Sequence, residues 1–175
     1  PGLQGGPFNH SIAGICVGLG ETLNPEFKEY ASQTVKNAQF LCSELQKYNF
    51  QIVSGGTDKH LILIDLTNKP LLGKKFARAL DYAGIIANMN TMPQEKQSPA
   101  NPSALRLGTP WITTRGMKES EITLIAAWIN QVMEICSQWN ELEFADFENK
   151  VKSSPEIATI ANQVQELCMN FPLEI

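Results

Sequence analysis

The chain is poor in the residues that build metal sites and disulfide frameworks. Its 175 residues include two histidines, His10 and His60, and four cysteines. Cys16, Cys42, Cys136 and Cys168 lie far apart and form no CxxC pair. Neither zinc-ligand spacing nor a stapled scaffold can be read from them, and no metal is expected. They fall on apolar helical patterns, so they read as small reduced core residues in a reducing compartment. Charge is also sparse, at 18% of residues with a net of -4 and no basic block. That argues against nucleic acid as a partner. No apolar run approaches the ~20 residues that span a bilayer. No signal peptide is visible, and the opening Pro1 in place of a methionine leaves room for sequence upstream.

What is present suits a folded domain. At 43% hydrophobic residues the chain can bury a sizeable core, and its length fits one domain with part of a second. The opening Pro1-Gly2-Leu3-Gln4-Gly5-Gly6-Pro7 is too dense in glycine and proline for a helix or a central strand. Ahead of a helix, Gly5 and Gly6 could offer backbone N–H groups to an anion. On the residues alone, an ordinary turn before a helix is the simpler explanation.

Periodicity orders the rest. Ser11 to Leu23 reads as a buried helix. Asn24-Pro25 is a cap and first-turn pair that opens a long amphipathic helix with Phe27, Tyr30, Thr34, Ala38, Leu41 and Leu45 on one face. Phe50 to Val53 and Leu61 to Asp65 read as strands around a Ser54–Asp58 loop, the second of them interior. Gly73 to Ala83 is a helix stopped by Gly84, and Ile85 to Met89 a strand. Thr91 to Ser103 carries Pro93, Pro99 and Pro102 and reads as a long exposed loop, a kind that is often functional. Ala104 to Leu107 is a strand, Lys118 to Trp139 an amphipathic helix, and Ser154-Pro155 opens the last helix. The order is two helices, two strands, a helix, two strands and three helices. That gives an α/β class (an α+β small domain) with a small mixed or antiparallel sheet covered by helices on one face.

Four strings matter together. They are the Gly-Gly-Pro opening, Ser54-Gly55-Gly56-Thr57-Asp58-Lys59-His60, Asn88-Met89-Asn90-Thr91-Met92-Pro93, and Leu105-Arg106-Leu107-Gly108-Thr109-Pro110 followed by Thr113-Thr114-Arg115-Gly116. In this order and spacing the set resembles serine hydroxymethyltransferase. Pro25 to Tyr30 and Val35 to Ala38 add to the likeness, which covers nearly the whole chain. The family is a pyridoxal-phosphate enzyme of the aspartate-aminotransferase fold type. It interconverts serine and glycine and passes one carbon to tetrahydrofolate. Its cofactor-bearing lysine follows a Thr/His-rich string upstream of the Gly-Gly-Pro loop, and no such string occurs here. The resemblance therefore implies a fragment, with residues 1–23 the tail of the large cofactor domain and 24–175 the C-terminal small domain. Such a fragment is expected to be inactive by itself and to hold no catalytic residue.

Residue roles follow from the resemblance. Arg106, in the Arg-x-Gly-Thr-Pro string, would hold the substrate's carboxylate; spacing alone favours an arginine on a solvated strand face. Gly5 and Gly6 would bind the cofactor phosphate in the neighbouring subunit's site, which implies a homo-oligomer, dimer or tetramer. Asn90 matches a position near the folate pterin ring, with a polar strand-end cap as the equal alternative. Many relatives carry lysine where Met89 stands, which puts a folate contact in doubt. Arg115 reads as a structural ion pair, His10 and His60 as structural hydrogen-bonding groups, and Asp58 as closing its turn by an Asx-type bond. Lys59, Lys74 and Lys75 show no sign of the burial that cofactor chemistry needs. The implied setting is cytoplasmic, or that of an organellar form. Two other readings stay open: a stand-alone, non-catalytic interaction module of this fold, and another enzyme of the fold type such as an aminotransferase.

Overall fold

The computed structural model of the chain describes residues 2–3 and 5–173. Pro1 and Gln4 of the opening string, and residues 174–175, lie outside the described residues. Helix α1 (Asn9–Glu21) is followed by α2 (Pro25–Lys47), strand β1 (Gln51–Ile52), β2 (Leu61–Asp65) and α3 (Gly73–Tyr82). Then come β3 (Asn88–Asn90), β4 (Ala104–Gly108), α4 (Pro110–Thr114), α5 (Glu119–Ser137), α6 (Phe144–Lys152) and α7 (Pro155–Asn170).

The four strands form one antiparallel sheet in the order β1-β2-β4-β3. Strand side chains alternate, so each face of this sheet has its own set. Ile62, Ile64, Leu105 and Leu107 are buried. They pack on Ala38, Leu41 and Leu45 of α2, Phe76 and Leu80 of α3, and Ile122, Ile129 and Val132 of α5, all in one hydrophobic cluster. Residues α6 and α7 contribute to it, Phe147, Val151, Ile157 and Ile160, are also buried. The opposite face, with Leu61, Leu63, Asn88 and Arg106, carries no covering helix and is exposed or half-exposed. One-sided coverage is what the alternation predicts.

Three local differences from the sequence reading have physical causes. The strand expected at Ile85 begins only at Asn88. Gly84, at φ +77°, reverses the chain, and the Ile85 N–H is spent on the Leu80 carbonyl at 2.9 Å, closing α3. The chain joins β4 only where Asn88 faces Arg106. Second, four helices rather than three follow β4, because Thr109-Pro110 opens the five-residue α4. Third, α1 forms but has no buried residue. Ile12, Ile15, Val17 and Leu19 are each more than half exposed. An apolar pattern fixes the helix, whereas burial needs a partner surface.

The cysteines divide along the same line. Burial pushes the Cys42 thiol up to about 11 and the Cys136 thiol up to about 12, so both are inert core groups. Cys16 is exposed on α1 and Cys168 half-buried, against the expectation of four core cysteines. No helix among the described residues is long and apolar enough to cross a membrane, and no cluster of metal-ligating side chains occurs among them.

Candidate functional site

The site is built on the open sheet face. Arg106 sits mid-strand on β4, between Leu63 of β2 and Asn88 of β3. Its neighbours Leu105 and Leu107 point into the core, which turns the guanidinium outward. Among the described residues the Arg106 side chain makes no hydrogen bond and no ion pair. A guanidinium is a rigid fork of donors that matches a carboxylate in two places, and here the fork is free. Asn90 is two residues past Asn88 and therefore shares this face. Its amide donates to the Thr91 carbonyl at 2.6 Å, leaving its oxygen available.

Met89 lies on the other side of β3. It pairs with buried Leu105 and approaches the backbone of Gly73 on α3. A side chain at position 89 therefore leaves the sheet away from Arg106 and Asn90. The face, not the residue type, decides what position 89 can touch.

The end of β4 is locked by a buried polar network that the sequence reading did not find. Thr109 is fully buried, and its hydroxyl donates to the Thr34 carbonyl of α2 at 2.8 Å. The Thr113 hydroxyl donates to the Thr109 carbonyl at 2.8 Å. Asn37, also fully buried, donates to the Thr113 hydroxyl at 2.9 Å and to the Met117 carbonyl at 3.0 Å. The Tyr30 hydroxyl donates to the Pro110 carbonyl at 3.2 Å. Thus the Thr-Pro of the Arg-x-Gly-Thr-Pro string ties the strand carrying Arg106 to α2. The available signal was one polar side chain, Asn37, beside an otherwise apolar helix face; Thr34 contributes only its backbone carbonyl. Asn37→Leu is expected to cost about 2–3 kcal/mol, because it leaves a buried carbonyl and hydroxyl without their donor. Urea unfolding, with the midpoint falling at constant slope, checks this.

Two other sequence expectations are corrected. Arg115 forms no ion pair among the described residues; it donates to the carbonyls of Cys168 at 3.2 Å and Phe171 at 2.8 Å. It thereby caps the C-terminus of α7, where a cation is favoured. In the Ser54–His60 loop it is Thr57, not Asp58, that closes the turn. Its hydroxyl accepts from the Lys59 N–H at 3.1 Å and donates to the Leu61 carbonyl at 2.8 Å. His60 contributes its backbone carbonyl, which accepts from the Thr109 N–H at 3.1 Å. His10 packs edge-on against Phe8.

The loop after Asn90 is tightly folded. The Glu95 carboxylate accepts from the Ser103 N–H at 2.9 Å, the Ser103 hydroxyl at 2.6 Å and the Gln97 N–H at 2.8 Å. The Ser103 hydroxyl, followed by the two backbone donors, holds the Glu95 carboxyl down at about 2, against 4.5 ordinarily. A depressed carboxyl stabilises its fold at pH above its unfolded value. This tie is therefore complete above pH 4.5 and is released as pH falls toward 2.

Gly5 and Gly6 are exposed, three to four residues ahead of α1, and a Cβ on either would meet nothing within 4 Å. Their N–H groups make no hydrogen bond to another described residue. They suit an anion as donors, but this chain builds no wall around them. The geometry thus brings Arg106 and Asn90 to one face and does not gather Gly5 and Gly6 into that site. Lys75 donates to the Asn140 and Leu142 carbonyls, and Lys74 lies 4.3 Å from the Phe144 ring centre. Both are occupied structurally.

This is the helix-backed antiparallel domain of an α/β protein, with one free arginine at the centre of its open face. The serine hydroxymethyltransferase family model matches residues 1–129, and the chain belongs to that family. It is 49% identical over 172 residues to the serine hydroxymethyltransferase of Acidothermus cellulolyticus, covering 98% of this chain and 38% of the relative. It is 44% identical over 172 residues to that of Sorangium cellulosum, covering 98% of this chain and 37% of the relative. The chain therefore spans less than two-fifths of the length of these curated relatives.

Proposed function

We propose that this chain is the C-terminal part of a serine hydroxymethyltransferase that interconverts serine and glycine and passes one carbon to tetrahydrofolate. Residues 24–175 form the small domain, and residues 1–23 belong to the large, cofactor-carrying domain. The observation that carries the reading is Arg106: an unpaired guanidinium at the centre of the sheet face that no helix covers, on a strand locked to α2. Arg106 grips the carboxylate of serine or glycine and so orients the bonds at Cα. Holding reactants in one geometry is a large catalytic term. Asn90, able to donate and accept, meets the edge of the folate heterocycle. Gly5 and Gly6 direct backbone N–H groups at the cofactor phosphate in a neighbouring subunit. Pyridoxal phosphate, when bound, supplies the electron sink for Cα–Cβ cleavage. The lysine that carries it belongs to the remainder of the protein, so this chain by itself is inactive. The exposed apolar side of α1 supports a partner surface outside residues 24–175. The working protein is then a cytoplasmic homo-oligomer.

The test is the native protein, captured from its source cells with an antibody raised on this chain. Expected is a species more than twice this size that carries pyridoxal phosphate and cleaves serine in a folate-dependent way. A native species of 19.4 kDa that ignores the cofactor would overturn the reading in favour of a non-catalytic module. Transamination in place of serine cleavage would overturn it in favour of an aminotransferase.

A further inference from the structure

We propose that Glu95 is a positioning residue. Its carboxylate folds the 91–103 segment into a strap that sets Pro93 over the sheet face carrying Arg106 and Asn90, and it thereby governs binding of the one-carbon acceptor rather than of the amino acid. The proposal rests on the reading of function above.

The path of the strap is the starting point. It leaves the sheet at Asn90, on the β3 edge, and returns at Ala104, the first residue of β4. Between these points it reaches the opposite edge of the sheet. Met92, Pro93 and Gln94 line a cleft of about 850 Å³ with Gln51 of β1 and Asp65 of β2. Pro93 also lines the adjoining cleft of about 730 Å³, with Leu61 and Leu63. Leu63 is the cross-strand partner of Arg106. The strap thus crosses the open face, and its Pro93 divides two clefts there.

Thirteen residues with three prolines do not hold such a path unaided. Gln94 sits at φ +61°, a conformation non-glycine residues seldom adopt. The next residue supplies the restraint. The Glu95 N–H donates to the Met92 carbonyl at 3.1 Å, which closes the turn containing Pro93. The Glu95 side chain then reaches Ser103 and Gln97. Ser103 is a fixed anchor: it is buried, and its carbonyl accepts from the Leu66 N–H at 3.0 Å. Glu95 therefore links the Pro93 turn directly to the root of the strand that carries Arg106.

A carboxylate is required here. One of its oxygens accepts the Ser103 N–H and the other the Gln97 N–H. Both are donors with no alternative polarity. An amide of the same shape would turn an NH₂ group toward one of them, so Glu95→Gln is an isosteric probe of the tie.

The experiment uses the full-length protein, with Glu95→Gln and Ser103→Ala, the latter removing only the hydroxyl donor. Two quantities are read: amide hydrogen exchange at Gln97 and Ser103, and the KM for tetrahydrofolate against the KM for serine. For Glu95→Gln, exchange at both amides should accelerate and the tetrahydrofolate KM should rise about tenfold, the scale of one lost charge-assisted hydrogen bond. The serine KM should stay within about twofold, since the Arg106 strand keeps its own anchors. Ser103→Ala should move the same two quantities in the same direction by less, and carries the test if the glutamine variant fails to fold. Faster exchange with an unchanged tetrahydrofolate KM would overturn the proposal and leave Glu95 a loop staple. A serine KM rising in step would overturn it as well. A wild-type protein without hydroxymethyl transfer would instead bring down the functional reading, a result visible before any variant is made.

Discussion

Arg106→Lys in the full-length protein should lower kcat/KM for serine by about 100-fold or more while leaving bound cofactor and stability intact. The magnitude follows from geometry. A lysine keeps the charge but replaces a two-pronged planar contact with a single flexible point charge. Losing a bidentate charge-assisted grip removes about 1.5–3 kcal/mol of binding. Misorientation of the bonds at Cα adds to that. Stability should hardly move, because Arg106 is exposed and makes no contact that a lysine would break. Glycine titration, followed by the cofactor's absorbance, isolates carboxylate binding from the folate step. Near-normal glycine affinity in this variant would falsify the role given to Arg106.

Gly73→Ala should have the largest effect on folding of any small substitution in the chain. Gly73 is the first residue of α3 and is buried against the root of β4. A Cβ there would stand 2.5 Å from the Ala104 carbonyl oxygen and 2.8 Å from that of Pro102. It would also meet the Met89 Cβ at 3.2 Å. All three belong to backbone or to the stem of a side chain, so no flexible tip can swing aside. The Gly73 N–H meanwhile donates to the Pro102 carbonyl at 2.9 Å, and a shift of the helix would stretch that bond. Overpacking of this kind costs about 3 kcal/mol. Urea unfolding should show a midpoint lowered by that amount at an unchanged slope. Gly56→Ala is the control. Gly56 has extended backbone at φ 170° and open space around it, so a change within about 0.5 kcal/mol is expected. Because Gly73 presses on the strap's return to β4, its alanine variant should also disturb the open face, which links packing to the site.

Most of the fold was legible in the chain because its helices and strands are long enough to show their period. Ala38, Leu41, Cys42 and Leu45 mark one face of α2, and all four are buried. The run from Leu61 to Asp65 read as an interior strand, and it pairs on both sides. Ser154 read as a cap, and its hydroxyl accepts the Ile157 N–H. The outward turn of Arg106 followed from alternation alone. The short elements were harder. α4 is five residues long, and the strand after Gly84 moved three residues because α3 claimed the Ile85 N–H. Strands of two or three residues carry too little pattern to fix their own ends.

The sequence by itself determined the one-sided sheet, the helices that back it and the placement of Arg106 on the face that no helix covers, because period and side-chain polarity are local properties. It also determined the family, through strings kept in order along the chain. Only the tertiary structure decided which contacts hold the site. It showed that Thr109 reaches Thr34 across 75 residues, and that Arg115 donates to the carbonyls at the end of α7. It also turned Met89 away from Asn90, and left α1 without a buried residue. These depend on which surfaces meet once the chain has folded, and polar partners distant in sequence leave no periodic mark on it.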